Sequence, residues 1–319
     1  MIGMRRKSRG VVLLSMLLVL ALLSALAYQL VGRHGLLVAQ ARYSFTQDQA
    51  LAYALGAEAL ARQVLYDDFS RSGPDTDNLL EMWAQPLAPL EVEGGLMEVQ
   101  LRDLHRCFNL NSLAGAEAQD NHARFKTLLR NLSIPETFAD SWLDWVDPDQ
   151  EIAGFGAEDG EYLLRDPGYR AANRLAAHVS ELKLIRDMSP EYYEALREHV
   201  CVLPSDQLRL NINTADAMPL AALAPSVNPQ QMQALVEAER AYTQVAEITN
   251  EYPDLAAAEA SLTVKSEYFE LQVRALVDES QVELASVLHR DTNDGSITLI
   301  GRDLGKDFRS MLRVEVEDG

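Results

Sequence analysis

The apolar positions follow three regimes along the chain. From Val11 to Val31 the sequence VVLLSMLLVLALLSALAYQLV is apolar throughout and uncharged, broken only by the polar Ser15, Ser24 and Gln29. At 1.5 Å per residue, about 20 such residues cross a hydrocarbon core of about 30 Å as one helix. Past Gly32 and Gly35 the pattern turns amphipathic. Between Gln47 and Tyr66, Ala50, Ala54, Ala57, Ala61 and Leu65 recur every three or four residues, which predicts a helix with one apolar face. Its end is expected near Phe69, before Ser70, Ser72, Gly73 and Pro74.

Residues 70–91 carry Pro74, Pro86 and Pro89 and are read as loop. Leu96, Val99 and Leu101 then alternate imperfectly with polar residues, predicting a strand over 96–103. Helical periodicity follows over 120–131, 135–146, 170–178, 189–199, 215–223, 229–240, 243–249 and 253–260. From Ser261 the period changes to two, in LTVKSEYFELQVRAL, QVELASVLHR and GSITLIG, with turn signals at Asp278-Glu279 and Asn293-Asp294-Gly295. The expected architecture is α+β: a long N-terminal helix on an antiparallel sheet, with a large all-helical domain inserted between strands. In segments, this gives a leader at 1–10, a membrane or fibre-core helix at 11–31, helix and first head strand at 32–107, the inserted domain at 108–260, and the returning sheet at 261–319.

Charge adds a direction. Arg5, Arg6, Lys7 and Arg9 precede the apolar run, so the chain after residue 31 is expected on the far side of a membrane. Three readings of this start stay open on the first 31 residues: a secretory signal peptide cut after Ala27, a plain anchor, or a basic leader cut between Gly10 and Val11. The formal charge is −20, and −24 without the four leader cations. So acidic a chain repels phosphate backbones, which excludes nucleic acid as a partner.

Four motifs bear on chemistry. Cys107 and Cys201 are the two cysteines, an even count suited to a disulfide in an oxidising compartment. Each precedes an Asn-apolar-Asn-Ser/Thr turn, NLNS at 109–112 and NINT at 211–214, with Ser112 and Thr214 suited to helix caps. The stretch DWVDPDQEIAGFGAEDGEY, 144–162, concentrates carboxylates. Counted from Asp147, Asp149 and Glu158 fall at the third and twelfth positions of an EF-hand rhythm, but Ile152 replaces the required glycine. The expectation is a calcium site of another oxygen-only kind, built from Asp147, Asp149, Glu158 and Asp159. NINTADAMPLAAL followed by NPQQMQALVEAERA has the outline of a helix-hairpin-helix, yet its turn APSVNPQQ lacks the glycines that offer amides to phosphate. No G-x-S-x-G, H-E-x-x-H or Walker loop is present and the six histidines are scattered, so no enzyme is expected.

The basic leader ending in Gly10, the apolar run and the amphipathic extension resemble the type IV pilin and pseudopilin superfamily. With the NLNS and NINT motifs and DPD…GAED…Y…R.AN, the whole chain is similar to the minor pseudopilin K (GspK) family of type II secretion systems. The resemblance implies cleavage between Gly10 and Val11 by prepilin peptidase, an inner-membrane single pass with a periplasmic head, partnership with other minor pseudopilins in a tip complex, and calcium in the inserted domain. The chain departs from the superfamily at the fifth residue after the cut, where Ser15 stands in place of glutamate. An unpaired carboxylate in an apolar fibre core is costly, so its absence fits a subunit with no neighbour above it. Ala50, Ala54, Ala57 and Ala61 are the expected face for partner helices. The alternative function is a periplasmic calcium-binding protein, secreted or anchored.

Overall fold

A computed structural model describes residues 9–72, 76–306 and 308–310. The leader up to Ser8 and the end of the chain past Ser310 lie outside the described residues. Helix α1 runs unbroken from Arg9 to Ser72, so the apolar and amphipathic regimes form one rod. A short hairpin follows, β1 (Leu90–Val92) and β2 (Gly95–Asp103). Its turn uses Gly94 at φ +84°, and a Cβ on Gly95 would sit 1.8 Å from the Leu276 carbonyl oxygen.

The chain then leaves the sheet. It passes through β3 (Phe108–Asn109), α2 (Ala118–Asn131), α3 (Thr137–Val146), α4 (Asp159–Tyr162), α5 (Pro190–Arg197), β4 (Val200–Cys201) and β5 (Leu210–Asn211). Helices α6 (Ala217–Ala221), α7 (Pro229–Glu237) and α8 (Val245–Glu251) and strand β6 (Leu262–Thr263) complete the insertion. The sheet resumes at β7 (Tyr268–Val277), β8 (Ser280–Arg290) and β9 (Ile297–Asp303). Five strands in the order β1-β2-β7-β8-β9 form one antiparallel sheet. The return therefore starts at Tyr268 rather than Ser261, because Leu262–Thr263 pairs in parallel with β5 inside the insertion.

Two expectations about elements are corrected. Residues 170–178 are not helical. Their amides are taken elsewhere: Ala171 N–H by Asp159, Asn173 N–H by the Trp145 carbonyl, Ala176 N–H by the Asn111 side chain. Strand β1 begins inside the stretch read as loop, taking Leu90 and Glu91 from it, and its three residues pair with β2.

Helix α1 crosses one face of the sheet. Ala50, Ala54, Ala57, Ala61 and Leu65 are buried against Phe269, Leu271, Val273 and Leu284. Methyl-sized side chains let the helix lie close to the strands. Around this contact, Glu58 on α1 takes both arms of the Arg302 guanidinium, at 2.7 and 2.8 Å, and the Ser286 hydroxyl at 2.7 Å. The Arg302 fork holds the Glu58 carboxyl below the usual range.

The insertion has its own core, centred on Phe108, Phe125, Leu128, Trp142, Tyr162 and Leu220. Two asparagine turns root it. Asn111 donates to the Ala176 and Leu203 carbonyls and accepts from Ala176 N–H; Asn213 donates to the Asp77 and Tyr242 carbonyls and accepts from Tyr242 N–H. Cys107 and Cys201 form a disulfide beside the β3–β4 pair, Cα to Cα 5.7 Å, closing the root on itself.

Candidate metal centre and exposed helix

Helix α3 ends in carboxylates because Asp140 and Asp144 lie one turn apart on one face and Asp147 caps its C-terminus. The following loop folds tightly back over them. Gly154 turns with φ +54°, and a Cβ on Gly156 would come within 2.0 Å of Asp144 Oδ2, so only glycine admits this approach. Asp140 is neutralised by Lys126 at 2.7 Å and accepts Phe155 N–H at 3.1 Å. Burial pulls its carboxyl upward, yet these partners prevail and lower it.

The remaining acids behave differently. Oxygens of Asp147, Asp149 and Glu158 lie within 4.8 Å of one another. Calcium binds oxygen at 2.3–2.6 Å, so oxygens facing across one ion stand at most about 5 Å apart. Asp144 Oδ2, Asp147 Oδ1 and both Glu158 oxygens are buried without a hydrogen-bond partner. Burial, reinforced by the neighbouring carboxylates, pushes Glu158 up to about 7 and Asp144 up to about 6, and raises Asp147. Converging, desolvated oxygens with no nitrogen or sulfur among them suit a hard divalent cation.

Of the four residues expected from sequence, three converge. Asp159 does not: it opens α4, where one oxygen accepts Ala171 N–H at 3.0 Å and the other faces Arg170 at 3.1 Å. Asp144, not singled out from the sequence, lies beside this group: one oxygen accepts Ala153 N–H at 3.0 Å and the other is buried without a partner. A second acidic group, Asp68, Asp77 and Glu81, differs in kind. Arg290 occupies it, pairing with Asp77 and lying 3.4 Å from Asp68.

The alanine face is corrected as well. Ala50, Ala54, Ala57 and Ala61 are at most 4% exposed and belong to the head's own core, so they offer no surface to another helix. Outward on the same stretch lie Ala52, Leu55, Gly56, Ala59 and Leu60. Further up, every residue from Val11 to Phe45 is exposed. Among the described residues α1 is the one helix long and apolar enough to cross a membrane, and none of its apolar window is buried. Ser15 bonds its own helix, donating to the Val12 carbonyl at 2.9 Å.

Residues 106–205, which hold both cysteines and the acidic loop, match the family described as type II secretion system (T2SS), protein K. The type II secretion system protein K of Pseudomonas aeruginosa PAO1 is 34% identical over 95% of this chain and 95% of its own. The Aeromonas hydrophila protein of that name is 31% identical over 92% of this chain and 96% of its own. This chain belongs to the type II secretion system protein K family. A chain from the crystal structure of the GspK-GspI-GspJ complex of enterotoxigenic Escherichia coli is similar in fold, with TM-score 0.75, 26% identity, and coverage of 84% of this chain and all of that one. A member of the protein K family with this pilin-like fold is a minor pseudopilin of type II secretion, a component of the secretion machinery. The calcium-binding alternative is not favoured.

Proposed function

We propose that this protein caps the periplasmic pseudopilus. The apolar half of α1 anchors it in the inner membrane, the head and insertion lie in the periplasm, and it acts by assembly rather than catalysis. Maturation by prepilin peptidase cuts between Gly10 and Val11. The observation that carries the capping role is the pairing of a wholly exposed apolar rod with Ser15 at the fifth mature position. The rod seeks other helices, yet it brings no carboxylate for a subunit above. The bulky insertion would then block further addition.

Its partners are other minor pseudopilins, as the complex containing the Escherichia coli relative suggests. They would approach the outward face of α1 at Ala52, Gly56 and Ala59, where small side chains let helices come close. Asp144, Asp147, Asp149 and Glu158 would hold a calcium ion, which ties the loop to the end of α3. The deciding experiment is co-purification of the tagged full chain from membranes, followed by N-terminal sequencing. The expected result is a mature start at Val11 and a complex with other minor pseudopilins that Gly56→Glu with Leu60→Glu disrupts. A start at Tyr28, or recovery without any pseudopilin, overturns the reading.

A further inference from the structure

The outer face of the sheet, opposite α1, does not meet the insertion flush. A cleft of about 490 Å³ separates them, walled by β7 and the segment after β9 on one side and by Val179–Leu184 and α5 on the other, with Cys107 and Cys201 on its lining. In a chain of net charge −20 this cleft is cationic. Arg102, Arg106, Lys183, Arg197, Lys306 and Arg309 line it against three carboxylates, Glu198, Glu270 and Asp303. Arg302 also borders it but turns its guanidinium to Glu58.

Most of these charges are engaged. Lys306 pairs with Glu270, Arg309 and Arg197 share Glu194 and Glu198, and Arg106 holds Asp216 at 2.6 Å. Two are not. Arg102 and Lys183 have no carboxylate within ion-pair distance among the described residues. Lys183 stands 4.4 Å over the Tyr193 ring. Arg102 donates one amino group to the Arg309 carbonyl at 2.7 Å, while its Nε is buried without a partner. Burial, with Arg106 beside it, disfavours its charge. Its other amino group, Nη1, makes no hydrogen bond among the described residues, and the natural complement of a guanidinium is a carboxylate. The same lining includes the apolar side chains of Leu104, Val179, Tyr193 and Val202.

We infer that this cleft is a docking site for an acidic peptide segment, with a carboxylate on Arg102, a second near Lys183 and an apolar side chain between them. The proposal is independent of the capping role, since it concerns the face of the sheet away from α1.

Fluorescence anisotropy on the full chain in detergent micelles tests it, with a labelled hexapeptide of alternating glutamate and valine as probe. The expected result is saturable binding that weakens with added salt. Arg102→Gln and Lys183→Gln should each weaken it about tenfold, with the melting temperature of Lys183→Gln unchanged. Lys183 is exposed, so that variant keeps the test decisive even where Arg102→Gln unfolds the junction. The inference is overturned by no binding, by equal binding of a lysine–valine hexapeptide, or by unchanged affinity in Lys183→Gln. Displacement by inorganic phosphate but not by glutarate assigns the cleft to phosphate and also overturns it.

Discussion

Asn111 and Asn213 show how much a single side chain ties together. Each is buried, and each donates to two carbonyls and accepts one amide from segments far away in sequence. Removing the amide strands those groups away from water, which costs more than the net value of the bonds. Asn111→Ala and Asn213→Ala should each lose about 2–4 kcal/mol in urea unfolding, while exposed Asn250→Ala should change little. Glu81 supplies a pH-dependent counterpart. Burial pushes it up to about 7 from 4.5, despite donation from Trp83 Nε1 at 2.6 Å. Below about pH 4.5 both folded and unfolded states are protonated and the chain keeps its full stability at this site. As the pH rises to about 7 the unfolded state ionises first, so stability falls. Glu81→Gln should remove that slope, on the order of 1–2 kcal/mol after solvent screening, in unfolding series at pH 5 and pH 8. The NLNS and NINT turns were legible in the sequence, but the capping residues are Asn109 and Asn211, whose side chains accept the Asn111 and Asn213 amides. Ser112 and Thr214 cap nothing among the described residues and donate to the Asn109 carbonyl and to Asp103. The distant partners of the turns were not legible, since a turn signal carries no information about which carbonyl approaches it.

At the scale of elements, periodicity served best where packing agrees with local preference. The strand read over 96–103 is β2, and the helices read over 120–131, 135–146 and 189–199 are α2, α3 and α5 within a few residues. Residues 170–178 failed because tertiary acceptors outbid the helical ones, which no window of sequence reports. The Ala50–Ala61 stripe was read correctly as a face and wrongly as an outward one. Small residues at helical spacing mark a close approach without naming the partner, and here the partner is the chain's own sheet. Ala57→Leu should therefore push α1 off β7 and β8 and destabilise the head by about 1–3 kcal/mol, checked by thermal melting. Gly56→Ala on the opposite face meets nothing within 4 Å and should instead stabilise the helix by up to about 1 kcal/mol.

At the scale of the whole molecule, the acidic loop is where stability is expected to depend on calcium. Three of its four expected residues converge, Asp159 lies outside the group, and the buried, unpartnered Asp144 Oδ2 lies against the loop at Gly156. Calcium added to chelator-stripped protein should raise the melting temperature, with about 2.7 kcal/mol of stabilisation at a hundredfold excess over Kd. Asp144→Asn combined with Glu158→Gln should abolish the rise, whereas Asp159→Asn should leave it. Identical melts with and without calcium in the unmutated chain would remove the site. Helix α1 carries a further consequence, electrical in nature. With Val11–Val31 in a bilayer, residues 32–45 stay helical and bare before Thr46 meets the head. Those 14 residues make a strut about 21 Å long. At physiological salt the Debye length is about 8 Å, so the strut exceeds two of them. With the strut upright, an acidic head at that height would be largely screened from anionic lipid, so its charge would do little to push the anchor out of the membrane.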